Sequence, residues 1–318
     1  MIASLALVAL ALAFAWSMGA HYTGACMGMP YAMGALSRRA ALGLMAVLVF
    51  LGASLFSHAT LERIGTGIIG ADLHKVDAAL VLAVAFGLTS LFTALRIPTS
   101  TIQIFVAALV GAGLALGFAV AWRHVLGLVV LWVAAPGIGF ALGWGGTLLL
   151  DRIWRVALRF GDPARLGRGL LAVGGMAASL AMGANDVANA TSVFRTTGFG
   201  SVWLAAMLGG AGLALGAVTW GRPLLERVAF KVVTMDLPMA IAAKFAQALI
   251  VLVAVGFGAF TSMNQALIGA MAGAGTARGG AIDRAALAGI LRGWVMGPVA
   301  GLALGFALVW LRVEVGLG

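Results

Sequence analysis

The residues best suited to chemistry form one polar run inside an apolar stretch of the chain. Asn185, Asp186 and Asn189 lie between Leu170 and Val193, far from any basic loop. Because an ionisable group at that depth is costly, it usually faces an interior pathway and has a partner. Asn185 and Asn189 are four residues apart and therefore share one face of a helix. One carboxylate with amide and main-chain oxygens suits a hard monovalent cation or a proton relay, and the set is too thin for a transition-metal site.

Two interpretations of this run stay open. The glycines before Asp186 allow the helix to break, and a break would free backbone carbonyls to bind a cation; these glycines are Gly174, Gly175 and Gly183. Alternatively, the Asn-Asp group is a structural network between helices, since polar side chains also join helices that are packed within a membrane.

Two short runs of hydroxyl residues begin apolar, glycine-rich segments. Thr99, Ser100 and Thr101 form the first run, and Thr261 and Ser262 form the second. In a dry pocket, these hydroxyls and the free backbone amides of a first helical turn can donate to one tetrahedral oxyanion. Serine and threonine are also preferred N-caps, so capping is the alternative, and the recurrence of the run favours binding. The further candidates for the same pocket are Gln103, Asn264 and Gln265.

The second half of the chain repeats the landmarks of the first half at an almost constant offset. Met18-Gly19-Ala20 recurs as Met182-Gly183-Ala184 after 164 positions, and Thr99-Ser100 recurs as Thr261-Ser262 after 162 positions. The other matched pairs are Leu61–Arg63 with Leu225–Arg227, Gln103 with Gln265, Trp132 with Trp294, and Pro136 with Pro298. Many secondary transporters are duplications of this kind, with the substrate held at midplane between the copies.

The composition excludes a soluble protein. Of the 318 residues, 63% are hydrophobic and 9% are charged, whereas a soluble domain carries about 25% charged residues. Several apolar runs approach the roughly 20 residues that a helix needs to cross a bilayer. These runs are residues 40–57, 78–95, 102–121, 125–150 and 238–258. We therefore predict an all-α integral membrane protein.

The net charge of +10 is distributed as a topology signal and not as a nucleic-acid site. The charges lie at the ends of apolar runs and form no patch with interleaved aromatic residues. If each half crosses the membrane five times and the N terminus is outside, most lysines and arginines fall inside, as the positive-inside rule requires. Because five is odd, the second copy is then inverted and both termini lie outside. The predicted domains are a first repeat over 1–150, a basic cytoplasmic linker over 151–168 and a second repeat over 169–318.

The motifs of both halves resemble those of the inorganic phosphate transporter family. The run Gly183–Ala190 is similar to that family's Asn-Asp signature, which its members carry in each of two inverted repeats. Ile97–Gln103 and Phe260–Gln265, each followed by an apolar glycine-rich segment, are similar to its second landmark. The resemblance covers nearly the whole chain. It implies an oxyanion bound between the repeats, coupling cations beside it, and broken helices or re-entrant hairpins that meet at midplane.

The first half departs from that family's pattern. His21-Tyr22-Thr23-Gly24-Ala25 stands where the second half has Asn185–Asn189, so the carboxylate and both amides are absent there. Gln103 and Gln265 stand where the family usually has a histidine. The segment from Gly19 to Ala35 resembles the compact bacterial sulfate-permease branch, whose members keep the Asn motif in the second repeat only. This branch implies sulfate in preference to phosphate, and a prokaryotic plasma membrane.

Two ionisable residues outside the second-half motif are weaker candidates. His21 titrates near neutral pH and could carry a coupling proton, although a buried histidine with satisfied hydrogen bonds is an equal alternative. Lys244 lies in an apolar segment and could balance the charge of an anion, but we expect it to snorkel to the membrane interface.

These observations favour a symporter that imports an inorganic tetrahedral oxyanion, sulfate ahead of phosphate, with protons as the coupling ion. Asp186 is then the principal coupling residue, Asn185 and Asn189 orient it, and His21 is a second carrier. A sodium-coupled phosphate transporter is the alternative; a passive anion channel would leave Asp186 without a role. Nothing resembles a catalytic triad, a P-loop or a dinucleotide-binding motif, so we expect neither an enzyme nor a cofactor. The expected partners are the oxyanion and the lipid bilayer, and a homodimer stays open.

Overall fold

A computed structural model of the chain describes residues 2–58, 68–71, 73–157, 162–192, 194, 201–226 and 233–316. The described residues form twelve helices. In the first half these are α1 (Ile2–His21), α2 (Thr23–Ala32), α3 (Arg38–Phe56), α4 (Lys75–Ala94), α5 (Thr101–Ala115) and α6 (Trp122–Ala157). In the second half they are α7 (Pro163–Thr191), α8 (Val202–Trp220), α9 (Arg222–Leu225), α10 (Leu237–Gly256), α11 (Met263–Ala277) and α12 (Arg284–Glu314). Of the repeated landmarks, residues 61–63 and Arg227 lie outside the described ranges.

Eight helices in the described ranges are long and apolar enough to cross a membrane, and the chain is an all-helical membrane protein as predicted. α1 and α2 count as one of these spans, over Ser4–Ala32. α5 and α11 have 15 residues each. At 1.5 Å per residue, such a helix extends only about 22 Å through a hydrocarbon core of roughly 30 Å. The expected ten full spans are therefore too many, because the apolar run 102–121 continues beyond the end of α5.

α4 and α5 form one helical hairpin, and α10 and α11 form its counterpart in the second half. The start of α4 and the end of α5 lie on the same face, since a bridge joins Ile69 to Val120 just outside both ends. In the second hairpin, Arg278 after α11 pairs with Asp236, which caps the start of α10. Each hairpin therefore returns to the face from which it starts, and its turn carries one hydroxyl run into the buried interior.

Glycines bring helices of the two halves into backbone contact, and several of these contacts occur twice. A Cβ on Gly19 would collide with the carbonyl of Leu213, and a Cβ on Gly183 would collide with the carbonyl of Val49. Gly183 lies 164 positions after Gly19, and Leu213 lies 164 positions after Val49. The second contact is thus the first with the halves exchanged: α1 packs on α8, and α7 packs on α3.

The helices that follow the hydroxyl runs show the same exchange. A Cβ on Gly111 of α5 would collide with the carbonyl of Leu302 in α12, and a Cβ on Gly273 of α11 would collide with the carbonyl of Phe140 in α6. Both residues of the first contact are 162 positions from their counterparts in the second. A twofold rotation generates reciprocal contacts of this kind. The packing therefore relates the two halves by an approximate twofold axis.

The predicted linker 151–168 spans the end of α6 and the start of α7. α6 continues through Ala157, and α7 begins behind Asp162, whose carboxylate accepts a hydrogen bond from the Ala164 amide at 2.9 Å. Residues 158–161 between the two helices lie outside the described ranges. The position of this segment on the cytoplasmic side stays a prediction.

Candidate functional site

The starts of α5 and α11 meet in the protein interior, where both are buried. Asn264 Nδ2 donates to the carbonyl oxygen of Thr99 at 2.6 Å. Gln103 Nε2 donates to Gln265 Oε1 at 3.2 Å. Because Gln103 and Gln265 are counterparts in the repeat, their hydrogen bond joins the two halves across the approximate twofold axis. The structure thus brings together the two segments in which the sequence predicts an anion site.

Two hydroxyls at this meeting point are available to a ligand. Ser100 Oγ and Thr261 Oγ1 are buried and have no hydrogen-bond partner within the described part of the chain. Ser262 Oγ accepts from the Gln265 amide at 3.4 Å, so capping accounts for Ser262 but not for Ser100. A buried polar group without a partner destabilises a protein by about 1–3 kcal/mol. One unpartnered donor from each half therefore lies where the hairpins meet.

The hydroxyl of Thr101 is engaged by a residue that the sequence interpretation missed. Tyr22, between α1 and α2, is fully buried, and its hydroxyl lies 3.0 Å from Thr101 Oγ1. The Thr101 amide donates to the same tyrosine oxygen at 3.4 Å. Tyr22 lies 164 positions before Asp186, so the repeat itself could have identified it. The counterpart of the motif carboxylate therefore orients the first hydroxyl run.

The second-half motif lies in an unbroken helix. α7 continues through Asn185, Asp186 and Asn189, and all three residues are 0% exposed. The expected helix break is wrong, because the glycines before the motif admit atoms of neighbouring helices. These neighbours are Lys244 at Gly174, Pro30 at Gly175 and Val49 at Gly183. A cation at this motif would therefore depend on side-chain oxygens.

The motif amides hold the second hydroxyl run and the carboxylate. Asn185 Nδ2 donates to the carbonyl of Thr261 at 3.0 Å, and Asn185 Oδ1 accepts from the Thr261 amide at 3.3 Å. Asn189 Nδ2 donates to Asp186 Oδ1 at 3.4 Å. Asp186 Oδ2 and Asn189 Oδ1 are buried and find no hydrogen-bond partner among the described residues. These two oxygens can accept a proton or a hard monovalent cation.

His21 contacts the backbone of the first hydroxyl run, as Asn185 contacts the backbone of the second. Its Nε2 lies 3.1 Å from the amide nitrogen of Thr99 and 3.2 Å from the carbonyl oxygen of Thr99. Its Nδ1 lies 2.9 Å from Thr93 Oγ1, and the Thr93 hydroxyl donates to the carbonyl of Thr89 at 2.7 Å. This network assigns the ring proton to Nδ1 and leaves Nε2 to accept from Thr99. Both nitrogens of the buried ring thus have partners.

Lys244 is a buried cation beside the second hairpin, and the expectation that it snorkels to the interface is wrong. The residue is 0% exposed and lies in the middle of α10. Its Nζ donates to the carbonyl of Ala25 at 2.5 Å and to Gln247 Oε1 at 2.6 Å. Gln247 Nε2 in turn donates to the carbonyl of Met263 at 3.3 Å. From mid-span the ammonium cannot reach the membrane surface, so neutral oxygens of both halves solvate it instead.

Comparison with known proteins gives consistent matches along the chain. The sequence profile of the phosphate transporter family matches residues 18–305. The sulfate permease CysP of Bacillus subtilis (strain 168) is 30% identical over 315 residues, which cover 98% of this chain and 88% of the permease. A probable low-affinity inorganic phosphate transporter of Mycobacterium bovis is 30% identical over 344 residues, covering 96% of this chain and 81% of that protein.

A solved structure shares the fold. The sodium-dependent phosphate transporter superposes with a TM-score of 0.88 and covers 99% of this chain and 100% of its own. The two sequences are 21% identical, so the similarity concerns the arrangement of helices.

Proposed function

Because the chain belongs to the phosphate transporter family, we propose that this anion transporter is a proton-driven symporter that imports sulfate in preference to phosphate. The chain is a multi-pass membrane protein of a transporter family and not an enzyme. The preference for sulfate is supported by the likeness to the sulfate permease over nearly the full length of both chains. The direction of transport follows from the proposed location in a prokaryotic plasma membrane, with protons more concentrated outside.

The observation that carries the proposal is a pair of hydroxyls, one on Ser100 and one on Thr261, that find no partner among the described residues at the meeting point of the two hairpins. Sulfate has no proton to donate at physiological pH, so its oxygens need donors. These two hydroxyls donate to it, together with the first-turn amides of α5 and α11 other than those of Thr101 and Gln265, which bond Tyr22 and Ser262. The remaining members of the proposed pocket are Thr99, Thr101, Gln103, Ser262, Asn264 and Gln265. The buried ammonium of Lys244 near the start of α11 supports the same conclusion, since a positive charge favours a nearby anion.

We also propose that the two halves have inverted topology, with both termini outside. Outside the hairpin, each half has three of the eight candidate spans, and the hairpin returns to its starting face whether or not it crosses fully. The first half has α1 with α2, α3 and α6 as spans; the second half has α7, α8 and α12. Each half therefore crosses an odd number of times, which would place the second half upside down. The reciprocal glycine contacts support a twofold relation of the same kind.

Asp186 is the proposed coupling residue, because its carboxylate is fully buried, interacts with the side chains of Asn185 and Tyr22, and leaves Oδ2 without a hydrogen bond of standard geometry in the described ranges. Asn189 bonds the other carboxylate oxygen, and Asn185 ties the motif to Thr261 of the anion site. A bare carboxylate would repel an arriving anion in this dry environment, so protonation of Asp186 favours anion binding. His21 is the proposed second carrier. Thr99 can bond Nε2 of His21 in either protonation state. Its amide hydrogen bonds the unprotonated nitrogen, and its carbonyl oxygen accepts from the protonated one.

Sodium-coupled phosphate transport is the second candidate. Asp186 Oδ2 and Asn189 Oδ1 are hard oxygen ligands, which suit sodium as well as a proton. A phosphate ion that carries a hydrogen needs one acceptor in its site. Gln103 Oε1 is a buried acceptor without a partner among the described residues, and it lies between the hairpins.

Flux through the purified protein in liposomes separates these candidates. We expect labelled sulfate to accumulate above its external concentration when the outside is acidic, and to stop accumulating when a protonophore collapses the pH gradient. Labelled phosphate should accumulate less, and liposomes without protein give the background. Accumulation that follows an imposed sodium gradient and ignores pH would support the second candidate. Flux that only runs downhill under either gradient would indicate a passive channel.

A further inference from the structure

A cavity of about 560 Å³ opens at the start of α6, on the face at which α5 ends. It lies between the first turns of α6 and the loop that precedes α11. Among the described residues, the titratable side chains that line it are those of Arg123 and His124, which are both exposed; the other described lining residues are apolar or glycine. The cavity therefore has a basic mouth and an uncharged wall.

The deep end of this cavity points to the proposed anion site. A constriction of about 10 Å³ continues from it and shares His124, Leu128 and Phe260 with the cavity. The constriction also touches Ile102 of α5. Phe260 directly precedes Thr261, and Ile102 directly follows Thr101, so the constriction ends at the immediate sequence neighbours of both hydroxyl runs. Phe260 and Ile102 are buried and close it at that depth.

The rim of the cavity is held by backbone pairing. The Gly70 amide donates to the carbonyl of Ala119 at 2.8 Å, and the Ala121 amide donates to the carbonyl of Ile68 at 2.9 Å. These bonds flank the bridge between Ile69 and Val120. They fix the segment that leads into α6, and with it the position of the two basic residues.

The pair of Arg123 and His124 occurs in one half only, whereas the first turn of α12 carries Arg284. The counterparts of Arg123 and His124, 162 positions on, are Ala285 and Ala286. At the position that the repeat relates to the cavity, Gly293 packs against Ile97. A Cβ on Gly293 would lie 2.9 Å from the Ile97 side chain. The twofold relation of the halves therefore does not account for the two basic residues.

We propose that this cavity, the basic vestibule, captures the oxyanion before it passes Phe260 to reach the hydroxyl site. The inference rests on the proposed oxyanion transport and adds the entrance path. Arg123 supplies the main attraction, since a guanidinium presents a planar fork of donors to an oxyanion. His124 lines the same mouth. In exposed positions such charges act mainly by raising the local anion concentration and the rate of encounter.

A cysteine in the vestibule tests this capture without requiring transport. The only cysteine of the chain, Cys26, is buried, so Ala259→Cys adds one half-buried thiol in the cavity wall. The labelling rate of this new thiol is measured with an anionic and with a cationic thiosulfonate. Each rate is divided by the rate at which the same reagent labels a free thiol in solution, which removes the intrinsic reactivity of the reagent. We expect a preference for the anionic reagent of roughly threefold to tenfold. Raised ionic strength should reduce the preference, and sulfate should slow the labelling.

The matched controls are Arg123→Gln and Arg284→Gln in the Ala259→Cys background. Arg284 is an exposed arginine in the first turn of α12, the counterpart of α6. The preference should disappear in Arg123→Gln and persist in Arg284→Gln. An unchanged preference in Arg123→Gln would overturn the proposal. An equal loss of preference in Arg284→Gln would overturn it too, because the effect would then come from general surface charge or from bound lipid phosphates. Because labelling is independent of flux, absence of sulfate uptake with a normal labelling pattern would count against the proposed function alone.

Discussion

At the scale of residues, buried atoms without a hydrogen-bond partner in the described part of the chain mark the two components that the proposed symport must bring together. Ser100 and Thr261 offer hydrogen-bond donors to an anion, whereas Asp186 and Asn189 offer oxygens to a proton or a cation. Each group raises the free energy of the protein by about 1–3 kcal/mol until a ligand satisfies it. Either ligand alone satisfies only one set. Joint binding satisfies both. Coupling requires in addition that one ligand raise the affinity for the other, and loss of the charge on Asp186 would do so for an anion held nearby.

The variant Asp186→Asn should lose uphill sulfate uptake and keep sulfate exchange. The amide preserves the shape of the side chain and its contact with Asn189, but it does not take up a proton at physiological pH. Concentrative uptake and sulfate counterflow, measured in the same liposomes, separate the two activities. Asp283→Asn is the matched control, since Asp283 is an exposed cap of α12 and asparagine caps a helix as well. Full concentrative uptake by Asp186→Asn would exclude Asp186 as the coupling residue.

At the scale of elements, glycine determines how closely the helices of the two halves approach. The sequence pattern suggests that Gly183 helps to break a helix, but the structure uses it to seat the carbonyl of Val49 against an unbroken α7. Hydropathy could not distinguish these roles, because a break and a close contact both favour a residue without a side chain. Hydropathy does not predict the short lengths of α5 and α11 for a related reason. The apolar run 102–121, for example, continues past Ala115, where α5 ends.

Gly183→Ala should lower the thermal stability of the purified protein in detergent by several degrees. Its methyl group would collide with backbone, which cannot move aside as a flexible side chain can. Gly87→Ala in the exposed face of α4 is the control, because nothing lies within 4 Å of a Cβ there. Alanine is favoured over glycine inside a helix by about 1 kcal/mol, so Gly87→Ala should unfold at the same or a higher temperature. Equal melting temperatures for the two variants would show that the contact is not tight.

At the scale of the whole molecule, the repeat was the most informative property of the sequence. It predicted that Ser100 and Thr261 belong to one place, and the structure brings their segments together. It did not predict Lys244, whose ammonium contacts the carbonyl of Ala25 across 219 positions of chain. Such a contact depends on how the halves pack and leaves no local pattern. Tyr22 is a case between these two: the repeat in the sequence aligns it with Asp186, but the sequence does not indicate its hydrogen bond to Thr101.

The central claim is that one anion is held jointly by the two halves, and sulfate binding to the purified protein tests it most directly. Titration calorimetry on the unaltered protein, Ser100→Ala, Thr261→Val and the double variant measures the contribution of each half. Each hydrogen bond to a charged ligand contributes about 1.5–3 kcal/mol, so each single change should weaken sulfate binding roughly tenfold or more. The double variant should bind still more weakly. Thr276→Val, in the exposed last turn of α11, should bind like the unaltered protein. Unchanged affinity in both single variants would contradict the account, because the anion would then lie elsewhere.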